Sequence, residues 1–363
     1  MKDRGIELLK ELAEAHGVPG HEDSVRCIWQ RELEGLAVSA DRFGNVFAES
    51  RGQEDVPRVV ITGHMDEVGF IVQSITPDGF LRFRPVGGWA AQTLPAQRVR
   101  VLTRAGALVE GVIASTPPHL RTAGPRDRMP QLDEMYIDVG ALDSEEASGT
   151  MGIRLGDPIA PASAFTSLAN ADRYLCKAFD NRVGVALAIQ AIQGFRDRAH
   201  PNLLVGVGTV QEEVGLRGAR VAAETARPDV VLVMEGPPAD DRAGSAAADL
   251  QGRLGGGVQI RVFDPSAIMN RALVDFAVSV AETCGISHQV AVRKTGGTDA
   301  ASFQCADNGC PVVVLGVPAR YIHTHNTMID IRDYMAALEL VHAMVERLDA
   351  QTVAGFTDFL PNS

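Results

Sequence analysis

Residues 203–220 read LLVGVGTVQEEVGLRGAR. The opening apolar run, Leu203 to Val210, has no polar alternation and reads as a short strand buried on both faces. It stops at Gln211 and two adjacent carboxylates, Glu212 and Glu213. Neighbouring carboxylates at the end of a buried segment repel each other and resist desolvation, so their placement needs a cause.

The same pattern recurs elsewhere. RVVIT (58–62) runs into Gly63-His64-Met65-Asp66. VVLVM (230–234) runs into Glu235-Gly236, and PVVVLGVPARYI (311–322) into His323-Thr324-His325. Between these strands lie segments of helical period: EDSVRCIWQRELEG (22–35), NRVGVALAIQAIQGF (181–195), MNRALVDFAVSVAETCGI (269–286) and DYMAALELVHAMVERLDAQTV (333–353). Alternating strands and helices predict an α/β/α domain on a mostly parallel sheet covered on both faces.

Residues 70–161 have a different texture. GFIVQSITPDGFLRFRPVGGW (69–89) is two alternating segments around Pro77-Asp78-Gly79, a hairpin signal, and QRVRVLTRAGALVEGVIA (97–114) repeats it around Gly106. LDSEEASGTMGI (142–153) starts like a helix, and IRLGDPIAPAS (153–163) reads as another short strand. This predicts a small β-barrel inserted at 70–161, splitting an α/β domain into 1–69 and 162–363.

In open α/β sheets ligands gather outside the carboxyl ends of the strands. Here four strand ends deliver only histidine and carboxylate, and Asp180 stands at the start of the 181–195 helix. His and carboxylate without Cys is the ligand set of hydrolytic zinc, cobalt or manganese sites. Two histidines and three carboxylates suffice for two ions about 3.5–4 Å apart sharing one carboxylate. Taken singly, His64, Asp180 and Glu235 could be a core histidine, a helix cap and a loop charge; together they are harder to dismiss.

Composition narrows the alternatives. The chain has 363 residues, 45% hydrophobic and 22% charged, with a formal charge of −12 and no Lys/Arg cluster, which argues against a nucleic-acid partner. No apolar run has the roughly 18 residues of a membrane helix, and the N-terminal segment reads as an amphipathic helix (Ile6, Leu9, Leu12, Ala13) rather than a secretory signal, so a cytoplasmic location is expected. Five scattered cysteines without a CxxC read as free thiols. There is no G-x-S-x-G elbow and no strand–GxGxxG–helix pattern.

The stretches GVPGHEDSVR, GHMDEVGFIV, VGGWAAQTL, DVGALDSEEA, CKAFDNRVG, TVQEEVGLRGA, LGGGVQI, GGTDAASF and PARYIHTH, in order from residue 17 to 325, resemble the M42 metallo-aminopeptidases, the TET and glutamyl aminopeptidases. The resemblance implies a peptidase with two divalent metal ions, peptide substrates, and a PDZ-like barrel that dimerises subunits and builds a dodecamer. It implies that His64 and Glu213 are terminal ligands on different ions, that Asp180 bridges, that Glu235 joins His64 and that His323 joins Glu213. Glu212 is then the general base for a water between the ions, and Asp66 the carboxylate that orients His64. Glu235 stands where the family usually has Asp, and Thr324-His325 follows where Ser is common; in an extended segment His325 would face the same way as His323. Neither the preferred N-terminal residue nor the native metal is encoded in a motif. A metal-dependent deacylase or carbohydrate-active hydrolase on the same scaffold is the alternative, although 5% aromatic residues give little for sugar stacking. A non-catalytic binding protein ranks third.

Overall fold

The computed structural model describes residues 2–120, 128–246 and 250–360. The Arg-rich continuation of Pro117-Pro118-His119, to which the sequence assigns no role, falls largely at 121–127, outside the described residues. The chain opens with helices α1 (Lys2–Glu14) and α2 (Asp23–Glu32), then strands β1 (Ala37–Ala40), β2 (Val46–Arg51) and β3 (Arg58–His64). The inserted segment supplies β4 (Gly69–Ile75), β5 (Leu81–Val86), β6 (Arg98–Leu102), β7 (Leu108–Ala114), β8 (Tyr136–Asp138) and β9 (Pro158–Pro161). Next come β10 (Thr166–Ser167), β11 (Arg173–Cys176), α3 (Phe179–Gly194), β12 (Leu203–Thr209), α4 (Arg217–Ala226) and β13 (Val230–Glu235). The last part holds β14 (Val258–Asp264), β15 (Ala267–Ile268), α5 (Arg271–Cys284), β16 (His288–Val292), α6 (Ala300–Phe303) and β17 (Val312–Gly316). It closes with β18 (Ala319–Arg320), β19 (Thr327–Asp330), α7 (Ile331–Val345) and α8 (Ala350–Gly355).

The main sheet has the order β1-β2-β12-β3-β13-β17-β14-β15, with β16 beside β14. Its centre, β12-β3-β13-β17, is all parallel, as the fully buried strand sequences require. β2 and β14 flank that centre antiparallel, a reversal that apolar runs cannot announce. A side chain at Gly206 would meet Ile192 of α3, whereas Thr209, three residues on and therefore on the other face, bonds Asp299 at the start of α6. Helices thus cover both faces.

The inserted strands close into a barrel, β4-β5-β8-β7-β6-β9. It has its own core, including Phe70, Leu81, Val99, Ile137 and Ile159, separate from the core of the α/β part. The segment 142–153 makes only a short turn of wide helix, Glu146–Thr150. The expected single C-terminal helix is interrupted: α7 ends at Val345, and the Asp349 side chain accepts the Thr352 amide and starts α8 afresh.

Two glycines set the distance between β3 and α3. A Cβ at Gly63 would lie 2.4 Å from the Gly184 carbonyl carbon, and one at Gly184 would lie 2.6 Å from the Met234 carbonyl oxygen. Only bare backbone permits that approach, and it is what carries the start of α3 to the end of β3.

Candidate metal centre

The parallel register aligns the strand ends: Thr209 stands opposite His64 across β12 and β3, and Glu235 opposite Gly316 across β13 and β17. His64 therefore comes from the end of β3, Glu212 and Glu213 from just beyond β12, and Glu235 from the end of β13. A smaller sheet, β10-β11-β19-β18, supplies the rest. β11 leads into Asp180, the β18–β19 hairpin carries His323, and β11 pairs directly with β19. No sequence pattern marked this second sheet.

These side chains converge. His64 Nε2 lies 3.3 Å from Asp180, 3.7 Å from Glu235 and 3.8 Å from Glu212. His323 Nε2 lies 3.2 Å from Glu213 and 3.4 Å from the other oxygen of Asp180. Possible ligand atoms of His64, Glu212 and Glu235 fall within 4.8 Å of one another, as do those of His64, Asp180 and Glu213. All line one cavity of about 350 Å³.

The turn after β12 explains how adjacent glutamates diverge. Gln211 is left-handed (φ 56°), and the Glu212 carbonyl accepts from the Gly215 and Leu216 amides at 2.9 Å. The fully buried Asp66 carboxylate accepts the Glu212 amide with one oxygen and the Glu213 amide with the other, both at 3.0 Å. His64 Nδ1 has its nearest partner in the Asp66 carbonyl oxygen at 3.1 Å, with the Asp66 carboxylate 3.6 Å away. Asp66 thus reaches His64 mainly through its backbone, while its side chain grips the catalytic-looking turn.

His323 does not sit in an extended segment, contrary to the sequence expectation: its φ is 56°. His325 accordingly turns away and rests against Trp89, ring centroids 5.6 Å apart, leaving His323 alone facing the cluster. Sequence reasoning missed three neighbours. Glu22 accepts the Gln211 amide at 3.3 Å. Asp299 accepts the Thr209 hydroxyl at 2.5 Å. Arg261 lines the cavity and pairs with Asp264 at 2.9 Å. A lone Arg in VQIRVFD, flanked by apolar strand residues, was the available signal.

The charges need a cation. Four carboxylates face two histidines, and the buried Glu213 oxygen beside His323 makes no well-aligned hydrogen bond among the described residues. Burial pushes Glu235 up to about 8 despite His64, raises Glu213 despite His323, and raises Glu212 well above the usual carboxylate range. Burial opposes charge on His323, yet the carboxylates of Asp180 and Glu213 facing its Nε2 outweigh it and raise its pKa to about 11. Burial also opposes ionised Asp180, but His323 and His64 keep its pKa low. This donor set suits divalent ions of the zinc, cobalt or manganese kind.

If Glu235 and His323 hold an ion, the protons that their raised pKa values keep on them at pH 7 have to be displaced first. Affinity is expected to rise with pH, the Glu235 contribution levelling off above about 8 and that of His323 continuing toward about 11. Calorimetry at pH 7 in buffers of different ionisation enthalpy should show proton release; proton uptake would contradict these shifts.

Over residues 44–340 the chain matches the family model described as M42 glutamyl aminopeptidase. It is 34% identical to the glutamyl aminopeptidase of Lactococcus lactis subsp. cremoris (strain MG1363), over 98% of this chain and 99% of that protein. It is 35% identical to the lysyl aminopeptidase of Pyrococcus furiosus, over 94% and 97%. The crystal structure of a TET aminopeptidase from Thaumarchaeota archaeon SCGC AB-539-E09 superposes with a TM-score of 0.94 at 41% identity, covering 98% of this chain and 99% of that one. Pyrococcus horikoshii TET1 peptidase, described as able to assemble into a tetrahedron or a large octahedral shell, gives 0.84 at 32% identity, over 95% and 100%. Family peptidases of this kind are metal-dependent, and the cluster at the strand ends offers the groups to hold metal. The chain belongs to the M42 peptidase family and is an aminopeptidase.

Proposed function

We propose that this aminopeptidase works with two divalent ions, one held by His64, Asp180 and Glu235 and the other by His323, Asp180 and Glu213. The observation that carries this is the meeting of two histidines on opposite oxygens of Asp180. When bound, the ions would bring the pKa of a water toward neutrality and polarise the scissile carbonyl. Glu212 takes the proton from the attacking water and hands it to the leaving amine. Its burial and raised pKa suit a group that must hold a proton between the two steps. Asp66 fixes the turn from which Glu212 projects. The excess of carboxylates attracts the free α-amine of a substrate, which makes cleavage exo-acting.

The pocket wall supports an acidic N-terminal residue. Arg261 and Thr298 are buried in the lining, and among the described residues both the Arg261 Nε and the Thr298 hydroxyl lack hydrogen-bond partners. Leu216, Pro237 and Ile322 offer apolar contact for methylenes. Overall identity does not choose between substrates, since glutamyl- and lysyl-specific relatives are equally similar. Glu-anilide is expected to outrun Leu- and Lys-anilide. Arg261→Met should cost Glu-anilide roughly 10–100-fold in kcat/KM, the loss of one charged hydrogen bond, and leave Leu-anilide nearly unchanged. Hydrolysis of N-acetylated Glu-anilide at the free rate would overturn the exo-acting reading.

We also propose that residues 70–161 form a PDZ-like unit through which subunits pair into dimers and then a dodecamer, with 1–69 and 162–363 as the catalytic part. The separate barrel core supports the division, and the assembling relative supports the oligomer. Leu108, Leu142 and Leu155 are exposed on this segment, with Leu142 at 84%. Mass measurement in solution decides it. Among the described residues no helix is long and apolar enough to cross a membrane, and all five cysteines are free, which suits a reducing compartment such as the cytoplasm.

A further inference from the structure

His64 and His323 are held in different ways. His64 is 2% exposed and its Nδ1 is steered by the Asp66 carbonyl. His323 is 33% exposed, the most open side chain of the cluster. Among the described residues its Nδ1 makes no hydrogen bond. The barrel lies there instead: a Cβ at Gly88 would come within 3.2 Å of His323 Nδ1 and 3.6 Å of its Cε1, and would meet no other residue within 4 Å.

Gly88 belongs to the loop 87–89, which leaves the barrel after β5. Its neighbours tie the loop down on both sides. Gly87 is left-handed (φ 84°), and a Cβ there would crowd Val68 at 2.7 Å and reach the Glu213 Cβ at 3.4 Å. Trp89 donates its indole N–H to the Gly69 carbonyl at 3.0 Å and stacks on buried Phe70, centroids 4.8 Å apart and planes at 23°. His325, two residues beyond His323, also rests against Trp89. This loop of the barrel therefore leaves room beside the His323 ring for no more than a bare backbone, runs close to Glu213 and packs, through Trp89, on the hairpin that carries His323.

We infer that the Gly87–Trp89 loop positions His323, so that the barrel selectively controls the metal position shared by His323 and Glu213. Packing against bare glycine backbone does for His323 what a hydrogen bond does for His64. Gly88 and Trp89 are positioning residues; neither lines the cavity that holds the cluster. The inference rests on the proposed ligand assignment.

The test titrates the metal-free full-length chain with Zn2+ by calorimetry, with thermal unfolding in parallel. Gly88→Ala presses a methyl onto the imidazole and is expected to weaken one of two ions by about 10–100-fold, the usual effect of disturbing a ligand's support, while the other keeps its affinity. Trp89→Ala should do the same and Trp89→Phe, which keeps the stacking, should largely restore binding. Gly149→Ala is the control, since a Cβ at Gly149 meets nothing within 4 Å. A Gly88→Ala chain that binds both ions as the wild type does, or one that weakens both equally, overturns the inference. His323→Ala separates the two levels of the argument. If it keeps both ions, the ligand assignment fails and takes this inference with it; if it loses one ion while Gly88→Ala keeps both, this inference alone fails.

Discussion

Glu212→Gln should bind two metal ions as well as the wild type does and turn over about 10²–10⁴-fold more slowly, the contribution of a positioned general base. The substitution keeps volume and planarity. The Glu212 backbone amide still reaches Asp66, so the turn and Glu213 stay where they are. What disappears is a buried carboxyl able to accept and return a proton. The comparison is kcat on an aminoacyl-anilide beside metal content of the same preparation. Loss of metal would make Glu212 a ligand, and activity within tenfold of wild type would remove it from the chemistry.

Asp180→Asn should be as damaging by another route. Asp180 gives one oxygen to the His64 side at 3.3 Å and the other to the His323 side at 3.4 Å. An amide presents a donor to one of them and carries no charge. Both ions should therefore bind more weakly than the roughly 10–100-fold that loss of an outer partner costs, and activity should not return when metal is added back after chelation. Glu213→Gln, by contrast, should weaken one ion only. Two ions retained at wild-type affinity in Asp180→Asn would refute the shared-ligand geometry.

The site was legible because each residue stands at a boundary. His64, Glu212, Glu213 and Glu235 follow apolar strands so directly that parallel packing had to gather them, and the structure brings them together with Asp180 and His323. What was illegible depends on backbone that no periodicity encodes. The left-handed His323 separates it from His325, and the strands β10, β18 and β19, two to four residues long, are too brief to show alternation. Antiparallel β2 and β14 look like any other buried strand. Asp66 is legible as a partner of His64, two residues away, but the amides its carboxylate holds come from a segment far along the chain, and only the folded sheet brings them near. Arg261 became informative once its cavity was seen.

The order of the central strands also has a bearing on when the enzyme can act. His64, Asp180 and His323 follow one another along the chain at intervals of more than a hundred residues. The strand that leads to His323, β17, completes the parallel centre last. Chains are synthesised from the N-terminus, and domains fold as units. A growing polypeptide therefore lacks His323 until long after His64 and Asp180 have been made. Without His323 the cluster at the strand ends is incomplete, and an aminopeptidase built this way gathers those groups only once β17 and the hairpin beyond it are in place.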